Sequence, residues 1–204
     1  MEIEWGEILG VVSTMFAAWL AYNQDKHNKM TDLKIEQYKK EEERRSFRRN
    51  ENTAKVYGTL WKVLYALRAD RVYIIQPHPV GKAAYLSIQF EVVGKGIDGI
   101  KEQVQNLPMS EIPRFSNDLA ENLFMYIENI DTGVPDNIVK SLMAVNGCSS
   151  VIIKRLNNST DWVGSIVAEY MEDISITEDE SHKIMHEAAV AVQYILPEIR
   201  EVKL

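Results

Sequence analysis

Ser149-Ser-Val-Ile-Ile-Lys-Arg-Leu156 and Trp162-Val-Gly-Ser-Ile-Val-Ala-Glu-Tyr-Met-Glu172 flank the polar stretch Asn157-Asn-Ser-Thr-Asp161. Both runs are rich in β-branched and aromatic residues, and the five residues between them are turn formers. The pattern is that of a β-hairpin. Working outward, Pro135 to Val145 reads as a helix, with Pro in its first turn and Asn146-Gly147 to end it in the left-handed conformation. On the other side Thr177 and Glu180 form a capping box for a last helix that carries Met185, Ala188, Val192 and Leu196 on one face and stops at Pro197.

Nearer the N-terminus, Val56, Leu60, Val63, Leu64 and Leu67 make one apolar face at helical spacing. The period then switches. Arg71 to Gln76 and Ala84 to Val93 are β-rich runs around a turn at Pro77 to Gly81. A less regular middle follows, with helical character expected at Ile97 to Val104 and Arg114 to Asn122 and a short strand at Phe124 to Ile127. This order is satisfied by one mostly antiparallel sheet with helices packed on it, an α+β fold.

The first 55 residues have a different character. Ile8 to Tyr22 carries no charge, and the uncharged run continues through Asn23 and Gln24. Seventeen helical residues span roughly 25 Å, slightly short of a bilayer's hydrocarbon core. Trp5, Trp19 and Tyr22 are placed like interfacial anchors. The start is acidic (Glu2, Glu4, Glu7), which does not fit a cleaved signal peptide. Residues 1–24 are therefore expected to be a transmembrane anchor, 25–55 a charged helical stalk and 56–204 a soluble domain. Within the anchor, Gly6, Gly10, Thr14 and Ala18 recur every fourth residue and form a small-residue seam, the expected site of transmembrane self-association. The stalk has no Gly or Pro and does not hold a heptad. Its Arg44, Arg45, Arg48 and Arg49 read as a solvated or partner-facing surface.

At 204 residues and 46% apolar composition the chain has room for one well-cored domain after the anchor. Its single cysteine, Cys148, excludes an internal disulfide framework and a multi-cysteine metal site. The acidic main domain is a poor match for nucleic acid. Enzymatic motifs are missing: there is no phosphate-cradling glycine loop and no serine nucleophile elbow. His182 and His186 stand four apart on the last helix, but outside any His-Glu-x-x-His motif, and read as solvent-facing. Cys148 reads as a small buried filler, and Tyr73, Tyr85, Phe90 and Tyr170 as core. Asn157 and Asn158 match glycosylation acceptors but read as turn residues. No catalytic residue, metal or cofactor is expected. For a ligand pocket the candidates are the polar strand residues Gln89, Glu91, Lys154 and Glu169.

Two resemblances bear on these expectations. Ser141-Leu-Met-Ala-Val-Asn-Gly-Cys-Ser-Ser-Val-Ile-Ile, then Asp161-Trp-Val-Gly-Ser-Ile-Val-Ala-Glu-Tyr and the final helix, resemble a GAF-type sensor domain over about Val56 to Leu196. The resemblance implies an antiparallel sheet flanked by helices and a small-molecule site between them. Against it, the Asn-Lys-Phe-Asp-Glu motif of cyclic-nucleotide-binding members is not evident, and Cys148-Ser149 stands where bilin-attaching members carry Cys-His. The whole chain is also similar to phage holins with one N-terminal membrane helix and a large soluble domain. There the matching run is Trp162-Val-Gly-Ser-Ile-Val-Ala-Glu-Tyr-Met-Glu-Asp-Ile-Ser-Ile-Thr-Glu-Asp-Glu-Ser-His, followed by Glu187-Ala-Ala-Val-Ala-Val-Gln-Tyr-Ile-Leu.

That second resemblance implies oligomerisation in the bacterial inner membrane and timed lesion formation. It places the soluble domain outside the membrane, whereas the bases that follow the anchor place it in the cytoplasm. The leading expectation is thus a holin-like, single-pass, homo-oligomeric membrane protein. Its GAF-like domain would respond to a regulatory protein or small-molecule ligand, with the bilayer as the other partner. The expectation leans on the end of the sequence at Leu204 without an output domain. The alternative is a membrane-tethered GAF-type sensor or scaffold that signals through a separate partner, and a third is a membrane-damaging defence effector gated by a small molecule.

Overall fold

The computed structural model describes residues 5–79, 82–159 and 161–197; before residue 34 its side chains are described only at Trp19 and Gln24. The chain divides into two compact units, Met1–Arg49 and Asn50–Leu204.

The described residues of the first unit lie within α1 (Trp5–Leu67). Its described side chains are exposed, and Glu36–Lys40 and Glu41–Arg45 pair across one helical turn. Such exposed pairs contribute about 0.3–0.5 kcal/mol each, so helix propensity shares the task of holding this segment. Gly6, Gly10, Thr14 and Ala18 have helical backbone, but as side chains the seam lies outside the described residues. Among the described residues no helix is long and apolar enough to cross a membrane.

The second unit is built on a six-stranded antiparallel sheet in the order β3-β2-β1-β6-β5-β4. Its strands are β1 (Arg71–His78), β2 (Tyr85–Val93), β3 (Leu107–Pro108), β4 (Phe124–Ile127), β5 (Ser150–Asn158) and β6 (Asp161–Tyr170). The hairpin expected around Asn157 to Asp161 is β5–β6, at the centre of the sheet beside β1. The two edge strands are the shortest, which limits the unpaired backbone available to another chain.

Strand alternation splits the apolar residues into two layers. On one face the end of α1 (Val56, Leu60, Val63, Leu64, Leu67) and α5 (Glu178–Val192) cover Val72, Ile74, Ile152 and Ile166. On the other, α2 (Pro113–Glu121), α3 (Ile130–Gly133), α4 (Asn137–Val145) and the 97–106 loop cover Tyr73, Ile75, Ile153 and Val167. β1 thus sends alternate side chains into both layers.

Several elements depart from the sequence reading. Ile97 to Val104 is not a helix. The Glu91 carboxylate takes the N–H groups of Ile100 and Lys101 (2.7 and 3.1 Å), and a Cβ at Gly99 would meet that carboxylate at 2.6 Å. The expected helix from Pro135 begins at Asn137 with Asp136 as its N-cap residue, whose side chain accepts from the Phe115 N–H (2.7 Å) rather than capping its own helix; Ile130–Gly133 is a separate turn. The last helix ends at Val192 instead of Leu196; beyond it the Ile195 N–H turns to the Val192 carbonyl (3.0 Å) in a tighter turn. β1 runs on through Pro77 to His78. Pairing with β6 has ended at Ile75, so Pro77 faces a strand on one side only, where a missing donor is tolerated. Thr177 caps Glu180 as expected, and Gly147 closes α4 with φ +79°.

Candidate functional site

The layer beneath α2–α4 holds a buried, charged cluster on β1 and β6. Arg71 and Glu169 are cross-strand partners on the same face, exposed by 1% and 0%. Glu169 Oε2 accepts from Arg71 Nε (2.9 Å) and Nη2, and Oε1 accepts from the Tyr73 hydroxyl (2.7 Å). Arg71 Nη1 also donates to the Asp98 carbonyl (2.8 Å) and Nη2 to the Asn146 carbonyl (3.4 Å). The guanidinium therefore ties the sheet to the 97–106 loop and to the end of α4. Burial holds the Tyr73 phenol well above its ordinary pKa, and the Glu169 carboxylate adds to the rise. Just behind this cluster, Tyr170 Oη donates to the Leu67 carbonyl (3.2 Å) and Asp70 accepts from the Met171 N–H (2.7 Å), fastening the end of α1 to β6.

Cys148 belongs to the same region. Its thiol is buried, points at the Ser150 carbonyl (3.4 Å), and is pushed far up, first by burial and then by Glu169. A sealed, protonated thiol is a poor nucleophile. Native protein is expected to resist iodoacetamide at neutral pH and to be alkylated only on unfolding; equally fast labelling with and without denaturant would contradict this. For Cys148, Tyr73 and Tyr170 the folded pKa lies above the unfolded one. Their contribution is complete below the ordinary thiol pKa of about 8.5 and is lost as pH climbs through that of phenols near 10. Denaturant midpoints are expected to fall between pH 9 and 11, and a flat profile there would refute the assignment.

The structure does not gather the four candidate pocket residues. Glu169 and Glu91 lie on the α2–α4 side, but Glu169 is spent on Arg71 and Tyr73, and Glu91 on the 97–106 loop. Lys154 pairs with Ile166, whose side chain is in the α1/α5 layer, so it lies on the opposite face. There it is 7% exposed, and burial lowers its pKa. Gln89 is the bulged residue of β2: Ile74 pairs with Phe90 and Ile75 with Ile88, leaving Gln89 without an opposite number. The bulge lets Phe90 and Ile88 be buried on opposite faces. Arg71 and Tyr73 were not among the sequence candidates. The only signal was a charged residue opening a β-rich run, which cannot be told from an ordinary strand end.

His182 and His186 are exposed, with parallel rings 6.3 Å apart, and Phe124 meets His182 edge-on. No group of three metal-ligating side chains occurs among the described residues. Buried polar atoms without a partner among the described residues include Ser116 Oγ on α2 and Arg155 Nε on β5.

No protein-family model matches the chain, and no curated protein matches it in sequence. Solved structures do resemble it in fold. One is the blue-light-absorbing form of the Thermosynechococcus elongatus PixJ GAF domain, with TM-score 0.60, 13% identity, and 72% of this chain and 85% of that one covered. A second is a phycocyanobilin-bound GAF domain from a cyanobacterial phytochrome, with TM-score 0.57, 19% identity, and coverage of 71% and 85%. A third is a phycoerythrobilin-bound GAF domain from a cyanobacterial phytochrome, with TM-score 0.55, 16% identity, and coverage of 74% and 97%. The six-stranded sheet and its flanking helices therefore form a GAF-like fold.

Proposed function

We propose that this protein is a membrane-tethered sensor: its GAF-like domain binds a small molecule in the α2–α4 layer and passes the bound state through α1 to a separate partner. The observation that carries this reading is the wiring at the end of α1. Within five residues the chain passes from Leu67, held by Tyr170, through Asp70, held to Met171, to Arg71, which joins β6 to the loop and helix roofing the other layer. A ligand that moved that roof would pull on Arg71 and so on the last turn of α1. Coupling of this kind needs a differential affinity for two arrangements, which an adjustable loop-and-short-helix roof can supply.

Two of the solved structures hold a bilin, phycocyanobilin in one and phycoerythrobilin in the other, but the residues here do not fit covalent attachment of one. Cys148 is buried, faces a backbone carbonyl and is followed by Ser149 rather than His. A non-covalent ligand is the better match to this chain.

The lesion-forming, holin-like reading rests on sequence features, the resemblance and the small-residue seam among them, and the GAF-like fold favours the sensor. Two measurements on the full-length protein separate them. Hydrogen exchange in lipid nanodiscs, with and without small molecules that raise the melting temperature, is expected to show altered protection at residues 56–67; stabilising ligands that leave α1 unchanged would overturn transmission. Expression in bacteria is expected to leave the membrane potential intact, and its collapse at modest expression would instead support lesion formation by homo-oligomers.

A further inference from the structure

Along α5 the buried residues are Ser181, Met185, Ala188, Ala189 and Val192, and His182 and His186 stand beside that face, exposed. Four residues apart, they lie one above the other on successive turns. Their rings are parallel within 4°, with centroids 6.3 Å apart. Phe124 of β4 meets His182 edge-on at 4.8 Å, which sets that ring against the rim of the sheet. Beyond these ring contacts, no hydrogen bond or ion pair holds either imidazole among the described residues. Both are free to serve as ligands.

A metal–nitrogen bond of about 2.0–2.1 Å puts a cation about 3 Å from the centre of each imidazole, so rings with centres about 6 Å apart or closer can share one. The observed pair stands at the edge of that range. Exposed side chains reorient within nanoseconds, so a small turn of His186 brings both nitrogens to one point. Imidazole suits transition metals rather than Mg2+ or Ca2+, which take oxygen ligands. No third metal-ligating side chain joins the pair among the described residues, so water fills the remaining positions and the site is open. Glu178, Asp179, Glu180 and Glu187 against Lys183 give α5 a net negative charge that favours a cation.

We infer that His182 and His186 chelate a divalent transition-metal cation, Cu2+ ahead of Ni2+ and Zn2+, at the surface of α5 beside β4. The helix makes the two imidazoles one bidentate ligand, because once the first has bound, the second bond forms within the molecule. The order of the metals follows their general affinity for nitrogen ligands. The site does not depend on the sensor reading, since α5 covers the face of the sheet opposite the α2–α4 layer.

Full-length protein without a polyhistidine tag, in detergent micelles freed of chelator, is titrated with Cu2+, Ni2+, Zn2+ and Mg2+ by calorimetry. Cu2+ is expected to bind tightest, at one ion per chain, and Mg2+ not to bind. His186→Ala, at an exposed position, should weaken Cu2+ at least about tenfold. Adding Glu187→His to that variant restores the number of histidines but sets the two rings about 140° apart around the helix, so it should bind as weakly as His186→Ala. Ni2+ should raise the melting temperature of the wild type and of neither variant. If the double variant binds Cu2+ as tightly as the wild type, or His186→Ala changes nothing, the pair is not the ligand and the inference is overturned. Wild-type protein that binds no Cu2+ overturns it as well. The sensor reading is judged separately, by protection of residues 56–67.

Discussion

Glu169→Leu is expected to destabilise the protein by about 3–5 kcal/mol, the largest effect of any single substitution proposed for it. The replacement keeps the volume and removes the charge, so Arg71 is left as a buried cation and the Tyr73 hydroxyl loses its acceptor. The cost comes from uncompensated burial rather than from the pair's net worth. That distinction is testable, because Arg71→Met with Glu169→Leu removes both charges at once. The double variant is expected to recover most of the lost stability, as well-packed apolar residues often replace a buried pair without loss. Urea denaturation of the four proteins of this cycle supplies the coupling energy. If the double variant is as unstable as the sum of the singles, stranding one charge is not what makes each single variant costly, and the assignment is wrong. The double variant also tests signalling. It cuts the side-chain tie between β1, the Asp98 carbonyl and the Asn146 carbonyl, so it should fold while failing to pass a ligand's effect to residues 56–67.

Gly164→Ala is expected to cost about 2–4 kcal/mol, although it adds one methyl group. The residue has φ +151°, a conformation that L side chains rarely adopt, and its Cβ would stand 2.7 Å from the Ile75 carbonyl oxygen and 3.1 Å from Gln76 Cγ. A backbone oxygen in a central strand cannot step aside cheaply. β6 would have to leave β1 at the point where their pairing ends. Thermal unfolding should therefore show a lower midpoint for Gly164→Ala than for alanine substitution of Gly58, where nothing lies within 4 Å. Equal midpoints would mean that the close approach carries no strain.

The two effects differ in how far the amino-acid sequence reveals them. The sequence shows a Gly inside Trp162-Val-Gly-Ser-Ile-Val-Ala-Glu-Tyr, but the backbone that approaches it is seen only in the fold. Period-two runs and the Asn157 to Asp161 turn made the central hairpin legible, because strand alternation and turn chemistry are local properties. The spacing of Val56, Leu60, Val63, Leu64 and Leu67 declared the face of α1 that meets the sheet for the same reason. The capping Thr177 and the closing Gly147 are also local, and both are where the sequence put them.

Sites assembled from distant segments were not legible. Arg71 and Glu169 are 98 residues apart, and neither is unusual in its own window. Their meeting depends on β6 pairing with β1 at one register out of several with the same alternation. Gln89, Glu91, Lys154 and Glu169 looked alike as polar positions in strands. The bulge at Gln89, the loop that occupies Glu91 and the placement of Lys154 under α5 separate them, and each is a consequence of packing. Ile97 to Val104 has enough apolar residues for a helix, yet a carboxylate from the neighbouring strand claims the N–H groups its helix would need.

The sequence by itself determined the α+β class, the order of the main elements and the apolar face of each, since those follow from backbone propensity and hydrophobic period within a few residues. It also marked Ile8 to Tyr22 as uncharged, a membrane expectation that belongs to composition. Only the tertiary structure decided which polar residues are partnered and which are left over. Partnering is set by the pairing register of β1, β5 and β6 and by which helix lies over them. Arg71 and Arg155 both stand on β-strands facing the same layer. One makes four hydrogen bonds to its neighbours and the other has a buried Nε without a partner among the described residues, a difference that exists only after the sheet has closed.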